Sequence, residues 1–273
     1  MSVSAQAIGQ RLELARRAAC EAGRGTLAHF RTGTDVQRKA DNSPVTIADR
    51  QAEQQLRQLI HAAFPDDAIV GEEFPTQPGP SGFRWVLDPI DGTKSFISGV
   101  PLYGTIVGMD YRGESLLGVI YLPALDEGVL AARGHGAWQF RGGGAAVPAR
   151  VSTTARLADG LLVTSEIGGF ADRGAAEAWE RLERSAWITR TWGDCYGYYL
   201  VATGRAVAMI DPQMNVWDAA GILPILEEAG GTFTDWQGRP TVEGGEGIGT
   251  NGHVQEELLA ITRQFPRPAA SRA

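Results

Sequence analysis

Apolar side chains recur at helical spacing over 5–30 (Ile8, Leu12, Ala15, Ala19, Leu27, Phe30) and again over 47–64, after the turn Asn42-Ser43-Pro44. The chain is therefore expected to open with two amphipathic helices. Short β-rich runs follow at 68–70, 83–87, 105–109, 116–122 and 129–132, separated by glycine and proline turns. They predict a largely antiparallel sheet backed by helices.

Past the glycine-rich stretch 141–146 the pattern alternates: strand 161–164, helix 171–183, strand 186–190, helix 196–203, strand 207–210 and helix 219–229. Gly230-Gly231 ends the last of these helices, and Pro224 must either kink it or lie close to its first turn. This reads as a smaller α/β layer arrangement. The expected division is an N-terminal α+β part over 1–147 and a C-terminal α/β part over 148–273, tightly packed as one unit. The tail 265–273 is expected to fray.

Composition narrows the class. With 43% apolar and 21% charged residues, the chain is long enough to bury a substantial core. No segment reaches the roughly 18 consecutive apolar residues of a membrane span. The N-terminus lacks the order of a signal peptide, so a cytoplasmic protein is expected. A net charge of -7 argues against nucleic acid as a partner. An acidic protein that handles phosphate needs metal cations as intermediaries. Cys20 and Cys195 belong to no metal or redox motif and are read as reduced and buried. His29, His61, His135 and His253 have no ligand spacing.

The candidate chemistry lies in carboxylates. In Trp85-Val86-Leu87-Asp88-Pro89-Ile90-Asp91-Gly92-Thr93, a buried-strand pattern runs directly into two acids three residues apart. Pro89 removes a backbone donor, so the strand is expected to stop at Asp88, leaving both carboxylates and the Ile90 carbonyl free to converge. Oxygen ligands on a tight turn suit a hard cation such as Mg²⁺. Gly92 permits close backbone approach to an anion, and Thr93 can begin a helix whose N–H groups meet phosphate. Alone, Asp91-Gly92 is also what an ordinary turn looks like. The adjacent acids of Val70-Gly71-Glu72-Glu73 and the single acid of Trp217-Asp218-Ala219-Ala220-Gly221 make the combination specific.

These three segments, with Ser43-Pro44-Val45-Thr46-Ile47-Ala48-Asp49, resemble the signatures of the inositol monophosphatase superfamily in order and spacing, over nearly the whole chain. The resemblance implies a layered αβαβα sandwich of the sugar-phosphatase type and a Mg²⁺-dependent phosphomonoesterase, with Mn²⁺ able to use the same ligands. It also implies two or three ions per site, lithium sensitivity and a homodimer. Carried over residue by residue, Glu72, Asp88 and the Ile90 carbonyl would hold one ion, and Asp88, Asp91 and Asp218 a second. Thr93 with Asp49 would help deprotonate the attacking water. Asp91, Gly92 and Thr93 would receive the phosphate. A haloacid-dehalogenase reading is disfavoured because Pro89 stands where that family needs an aspartate.

Trp192-Gly193-Asp194-Cys195-Tyr196-Gly197 looks like the histidinol-phosphate phosphatase branch. Asp194 and Asp211 would face a cationic leaving group, Trp192 and Tyr196 would pack on a flat ring, and Arg190 would approach the ester. Inositol-1-monophosphatase, a broader sugar or nucleotide phosphatase, and a non-enzymatic macromolecule-binding regulator are the alternatives.

Overall fold

The computed structural model describes residues 3–33, 35–38, 44–142 and 144–267. The expected turn at Asn42-Ser43 and residues 268–273 of the tail lie outside the described residues.

Helix α1 (Ala5–Thr26) buries Ile8, Leu14, Ala15, Ala18 and Ala22 along one stripe. A short antiparallel pair, β1 (Gln37–Arg38) and β2 (Pro44–Val45), leads into α2 (Ile47–Ala63). Thr46 and Asp49 form a capping box at the start of α2. The large sheet then forms from β3 (Ala68–Gly71), β4 (Phe83–Asp91), β5 (Gly104–Tyr111), β6 (Glu114–Leu122), β7 (Glu127–Ala132), β8 (Ala137–Arg141) and β9 (Val147–Pro148), with the five-residue helix α3 (Thr93–Ile97) after β4. Its strands lie in sequence order, all antiparallel except the β3–β4 pair. A buried Asp67 pins the entry to this sheet by accepting from Arg11, Ser81 and the Trp85 indole.

The second half supplies β10 (Leu161–Val163), α4 (Gly168–Asp172), α5 (Ala176–Ser185), β11 (Ile188–Arg190), α6 (Asp194–Ala202), β12 (Ala208–Asp211), α7 (Val216–Ala219), α8 (Ile222–Glu228), β13 (Thr232–Thr234), β14 (Gly247–Thr250) and α9 (Gln255–Thr262). Its five strands take the order β11-β10-β12-β14-β13.

Burial assigns the layers. Helices α1 and α2 cover one face of the large sheet, sharing Ala18, Leu56, Trp85 and Leu117 in one apolar cluster. Helices α6 and α8 are buried between the two sheets, with Tyr198, Val201, Ile225 and Leu226 packed against Ile120 on one side and Phe233 on the other. The outer face of the small sheet is closed by α5 and α9 through Trp179, Leu182, Leu258 and Leu259. The architecture is the expected αβαβα sandwich.

The close seating of α8 depends on glycines. Gly108 and Gly118 pair across β5 and β6. A Cβ on Gly118 would stand 1.9 Å from the Gly221 carbonyl oxygen. Helix α8 therefore meets the sheet backbone to backbone.

Three expectations need correction. Strand β4 does not stop at Asp88 but continues through Pro89 to Asp91. The missing donor is tolerated because β3 pairs only as far as Leu87 and the β5 register shifts between Asp88 and Asp91. The helix expected over 171–183 is two helices, broken where Gly174 turns at φ +76. The helix expected over 219–229 is α8 alone, starting later at Ile222, with α7 a separate short helix that ends at Ala219. Pro224 falls in the first turn of α8, where a missing N–H is an orphan anyway.

Candidate active site

In a regular strand, residues three apart point to opposite faces. The β4–β5 register sets Asp88 opposite Ile106 and Asp91 opposite Gly104, so β4 carries one extra residue in this interval. That bulge returns Asp88 and Asp91 to the same side. Asp218, in the first turn of α7, completes a cluster of three carboxylates whose oxygens lie within 4.8 Å of one another. The Asp218 carboxylate also closes a capping box with Asn215, accepting its N–H at 2.6 Å. Asn215 is thus the N-cap of α7.

Asp88 and Asp91 are both buried, and Asp88 Oδ1 has no hydrogen-bond partner. Burial pushes the Asp88 carboxyl well above the usual carboxylate range, and the charges of Glu72, Asp91 and Asp218 push it further. Asp91 is raised by burial and then by Asp194 and Asp218, against the opposing hydrogen bond from the Cys195 N–H. Buried carboxylates crowded together repel one another, which is costly. An all-oxygen set with one orphaned buried atom fits a hard divalent cation, which would satisfy that atom and remove the repulsion. Glu72 is half-buried at the end of β3 and acts on Asp88 electrostatically, though it lies outside the three-carboxylate cluster.

Gly92 turns the chain at φ +83 from β4 into α3, with Thr93 as the first helical residue. The Thr93 hydroxyl donates to the Ile90 carbonyl at 3.0 Å. Ile90 is therefore not left free by the turn, although a carbonyl oxygen keeps a second lone pair. No hydrogen bond joins Asp49 to Thr93 among the described residues. Asp49 Oδ2 accepts from the backbone and hydroxyl of Thr46 at 2.7 and 2.6 Å, and burial raises its carboxyl.

Asp194 opens α6 at φ +53, and its Oδ2 lies 3.0 Å from where a Cβ on Gly92 would stand. Only glycine at 92 leaves it that space. The Asp194 N–H donates to Ser165 Oγ at 2.8 Å, while the Ser165 N–H donates to Asp211 at 3.3 Å. Asp211 is buried and accepts from the Tyr198 hydroxyl at 3.0 Å. Burial raises Asp194 to about 6 and Asp211 to about 7.

The aromatic expectations divide. Tyr196 is half-buried, packed against the interlayer core beside Tyr199. Trp192 is exposed, with the Arg190 guanidinium 5.9 Å above its ring. Cys195 and Cys20 are free thiols, both buried.

The sequence reading missed Ser165, which joins Asp194 and Asp211. It also missed Lys94, ion-paired with Glu166 beside Asp194, and Glu53, buried beneath Glu73. Glu53 alone left a signal, since it occupies the apolar face of α2 between Ala52 and Leu56.

A five-layer sandwich that gathers carboxylates at a bulged strand end, beside a glycine turn into a helix, defines a phosphatase of the metal-dependent sugar-phosphatase class. Residues 9–267 match the model of the inositol monophosphatase family, and the chain belongs to that family. It is 44% identical over 251 residues to a histidinol-phosphatase of Chlorobaculum parvum, covering 91% of this chain and 95% of that one. A histidinol-phosphatase of Streptomyces coelicolor is 35% identical, covering 93% of this chain and 97% of that one. The fold superposes on a solved inositol monophosphatase from Zymomonas mobilis with a TM-score of 0.82 at 31% identity, covering 96% of this chain and 100% of that one. Among the described residues, no helix is long and apolar enough to cross a membrane.

Proposed function

We propose that the chain hydrolyses L-histidinol phosphate to L-histidinol and phosphate with Mg²⁺ at the carboxylate cluster, as a cytoplasmic homodimer. The observation that carries the phosphatase chemistry is the convergence of Asp88, Asp91 and Asp218 around a buried, donor-less Asp88 oxygen. The choice of ester is supported by the relatives called histidinol-phosphatase and by Asp194 and Asp211 beyond the cluster.

In this reading Glu72, Asp88 and the Ile90 carbonyl would hold one Mg²⁺, and Asp88, Asp91 and Asp218 would hold another. When bound, the ions supply Lewis acidity and ease deprotonation of water. The protein's own groups do the rest. Backbone N–H groups at Gly92 and Thr93 orient the phosphate without adding charge. Attack by water forms one P–O bond as the bond to the histidinol oxygen breaks, and that oxygen takes a proton from solvent to leave as the alcohol. Thr93 and then Asp49 take the water's proton. Because their hydroxyl and carboxylate are engaged with Ile90 and Thr46, that transfer needs an intervening water or a turn of Thr93. The raised Asp49 carboxyl is the better base for it. Asp194 receives the cationic leaving group, Asp211 supports it from the buried side, and Trp192 and Arg190 line the entrance.

A polyol ester is the second reading, favoured by the superposition on an inositol monophosphatase. Phosphate release from histidinol phosphate and inositol 1-phosphate, measured in parallel, decides between them. A preference of about 100-fold for the histidinol ester, roughly 2.7 kcal/mol at the transition state, is expected. Equal rates or the opposite preference would refute the assignment to Asp194. No release from either ester, with Asp91→Asn indistinguishable from wild type, would refute the metal-site reading.

A further inference from the structure

Helix α2 carries a second buried acid that the proposed reaction does not use. Glu53 is 0% exposed. Its Oε1 accepts from Arg57 Nε at 2.7 Å, one turn along the same helix. Its Oε2 accepts from the backbone N–H of Glu73 at 2.7 Å. Arg57 continues the contact, donating from Nη2 to the Phe74 carbonyl at 3.0 Å. The chain immediately after Glu72 is therefore gripped at two consecutive residues.

The residue before Glu72 is fixed by the same carboxylate. A Cβ on Gly71 would lie 2.1 Å from Glu53 Oε1. Glu53 thus fills the space that a side chain at 71 would take, and both neighbours of Glu72 lie against that one side chain. Stability alone does not account for this choice. Glu53 sits among Ala52, Leu56 and Ile60 on a buried face, where a packed apolar residue would avoid desolvating a charge. What the ion pair adds is direction: it sets where the 71–74 backbone runs, and so where Glu72 faces Asp88.

We propose that Glu53 and Arg57 are positioning residues that hold Glu72 for the cation it shares with Asp88. The inference rests on the reading of Glu72 as a metal ligand. Groups that orient ligands from behind typically change metal affinity by about 10–100-fold when removed.

The test is Mg²⁺ binding by calorimetry, with the Mg²⁺-induced rise in Tm, for wild type, Glu53→Gln, Arg57→Ala and Glu72→Gln. Glu53→Gln keeps an acceptor for the Glu73 N–H while losing the charge, and Arg57→Ala alters the partly exposed half of the pair. Mg²⁺ affinity is expected to fall about 10-fold or more in all three variants. The Mg²⁺-induced gain in Tm should shrink. A merely structural role would lower Tm equally with and without Mg²⁺ and leave the affinity unchanged. Wild-type affinity in folded Glu53→Gln or Arg57→Ala, with Glu72→Gln weakened, overturns the positioning role while the ligand reading stands. Wild-type affinity in Glu72→Gln overturns both. Should Glu53→Gln fail to fold, Arg57→Ala decides alone.

Discussion

Gly118→Ala tests whether the distant glycine floor sets the active site. Gly118 lies in mid-β6, and an added Cβ would meet the Gly221 carbonyl oxygen at 1.9 Å and its Cα at 2.8 Å. These are backbone atoms, which cannot swing aside. An unstrained contact lies near 3.5 Å, so the start of α8 must retreat by about 1.5 Å. Gly221 is the N-cap of α8, and Asp218 of α7 stands three residues before it. The retreat therefore pulls Asp218 away from Asp88 and Asp91. Overpacking of this kind costs about 1–3 kcal/mol. At about 2–4 °C per kcal/mol for a chain of this size, Tm should fall by several degrees. Displacing a reacting group by about 1 Å costs on the order of 10²-fold in rate, so kcat should fall by that order. The assays are thermal unfolding by circular dichroism and phosphate release at saturating Mg²⁺. Gly9→Ala is the control, because no atom lies within 4 Å of a Cβ there and α1 should gain about 0.5–1 kcal/mol. Wild-type Tm in Gly118→Ala would refute the packing argument. A lowered Tm with wild-type kcat would refute the coupling to Asp218.

Two further outcomes follow from the buried acids. Asp88→Asn removes the most crowded charge, so without metal the variant should unfold at a higher temperature than wild type, while Mg²⁺ should no longer stabilise it and activity should be lost; thermal unfolding with and without Mg²⁺ checks both, and a lower Tm of the metal-free variant would contradict the repulsion. Asp211, raised by burial from an ordinary 3.8 to about 7, holds its proton in the folded state over a range where the unfolded chain has released it. Its contribution is therefore full below pH 4 and lost as pH rises towards 7. Urea unfolding of the metal-free protein at pH 5 and pH 8 should show the decline in wild type and a smaller one in Asp211→Asn; equal declines would show that Asp211 does not titrate in this range.

Much of this protein was legible in the chain order. The helices of the first half, most of the strands and the acids of the site follow from periodicity and from the run Asp88-Pro89-Ile90-Asp91-Gly92-Thr93, because these patterns are local. Strands β13 and β14 and helix α9 were not legible. Gly247 and Gly249 break the apolar pattern of β14, where Met214 and Tyr198 fill the space their side chains would take.

The tertiary structure decided what needed distance in sequence. Only the register with β5 reveals the bulge that turns Asp88 and Asp91 to one side, and Pro89 by itself predicted a stop that pairing overrode. Only the packing of α2 beside the 71–74 segment discloses that Glu53 reaches Glu73 across 20 residues. The sequence alone singled out Asp88, Asp91 and Asp218 as candidate acids, since that depends on side-chain type and local order. Where those groups point depended on hydrogen bonds and close contacts between elements far apart in the chain, which no local pattern encodes.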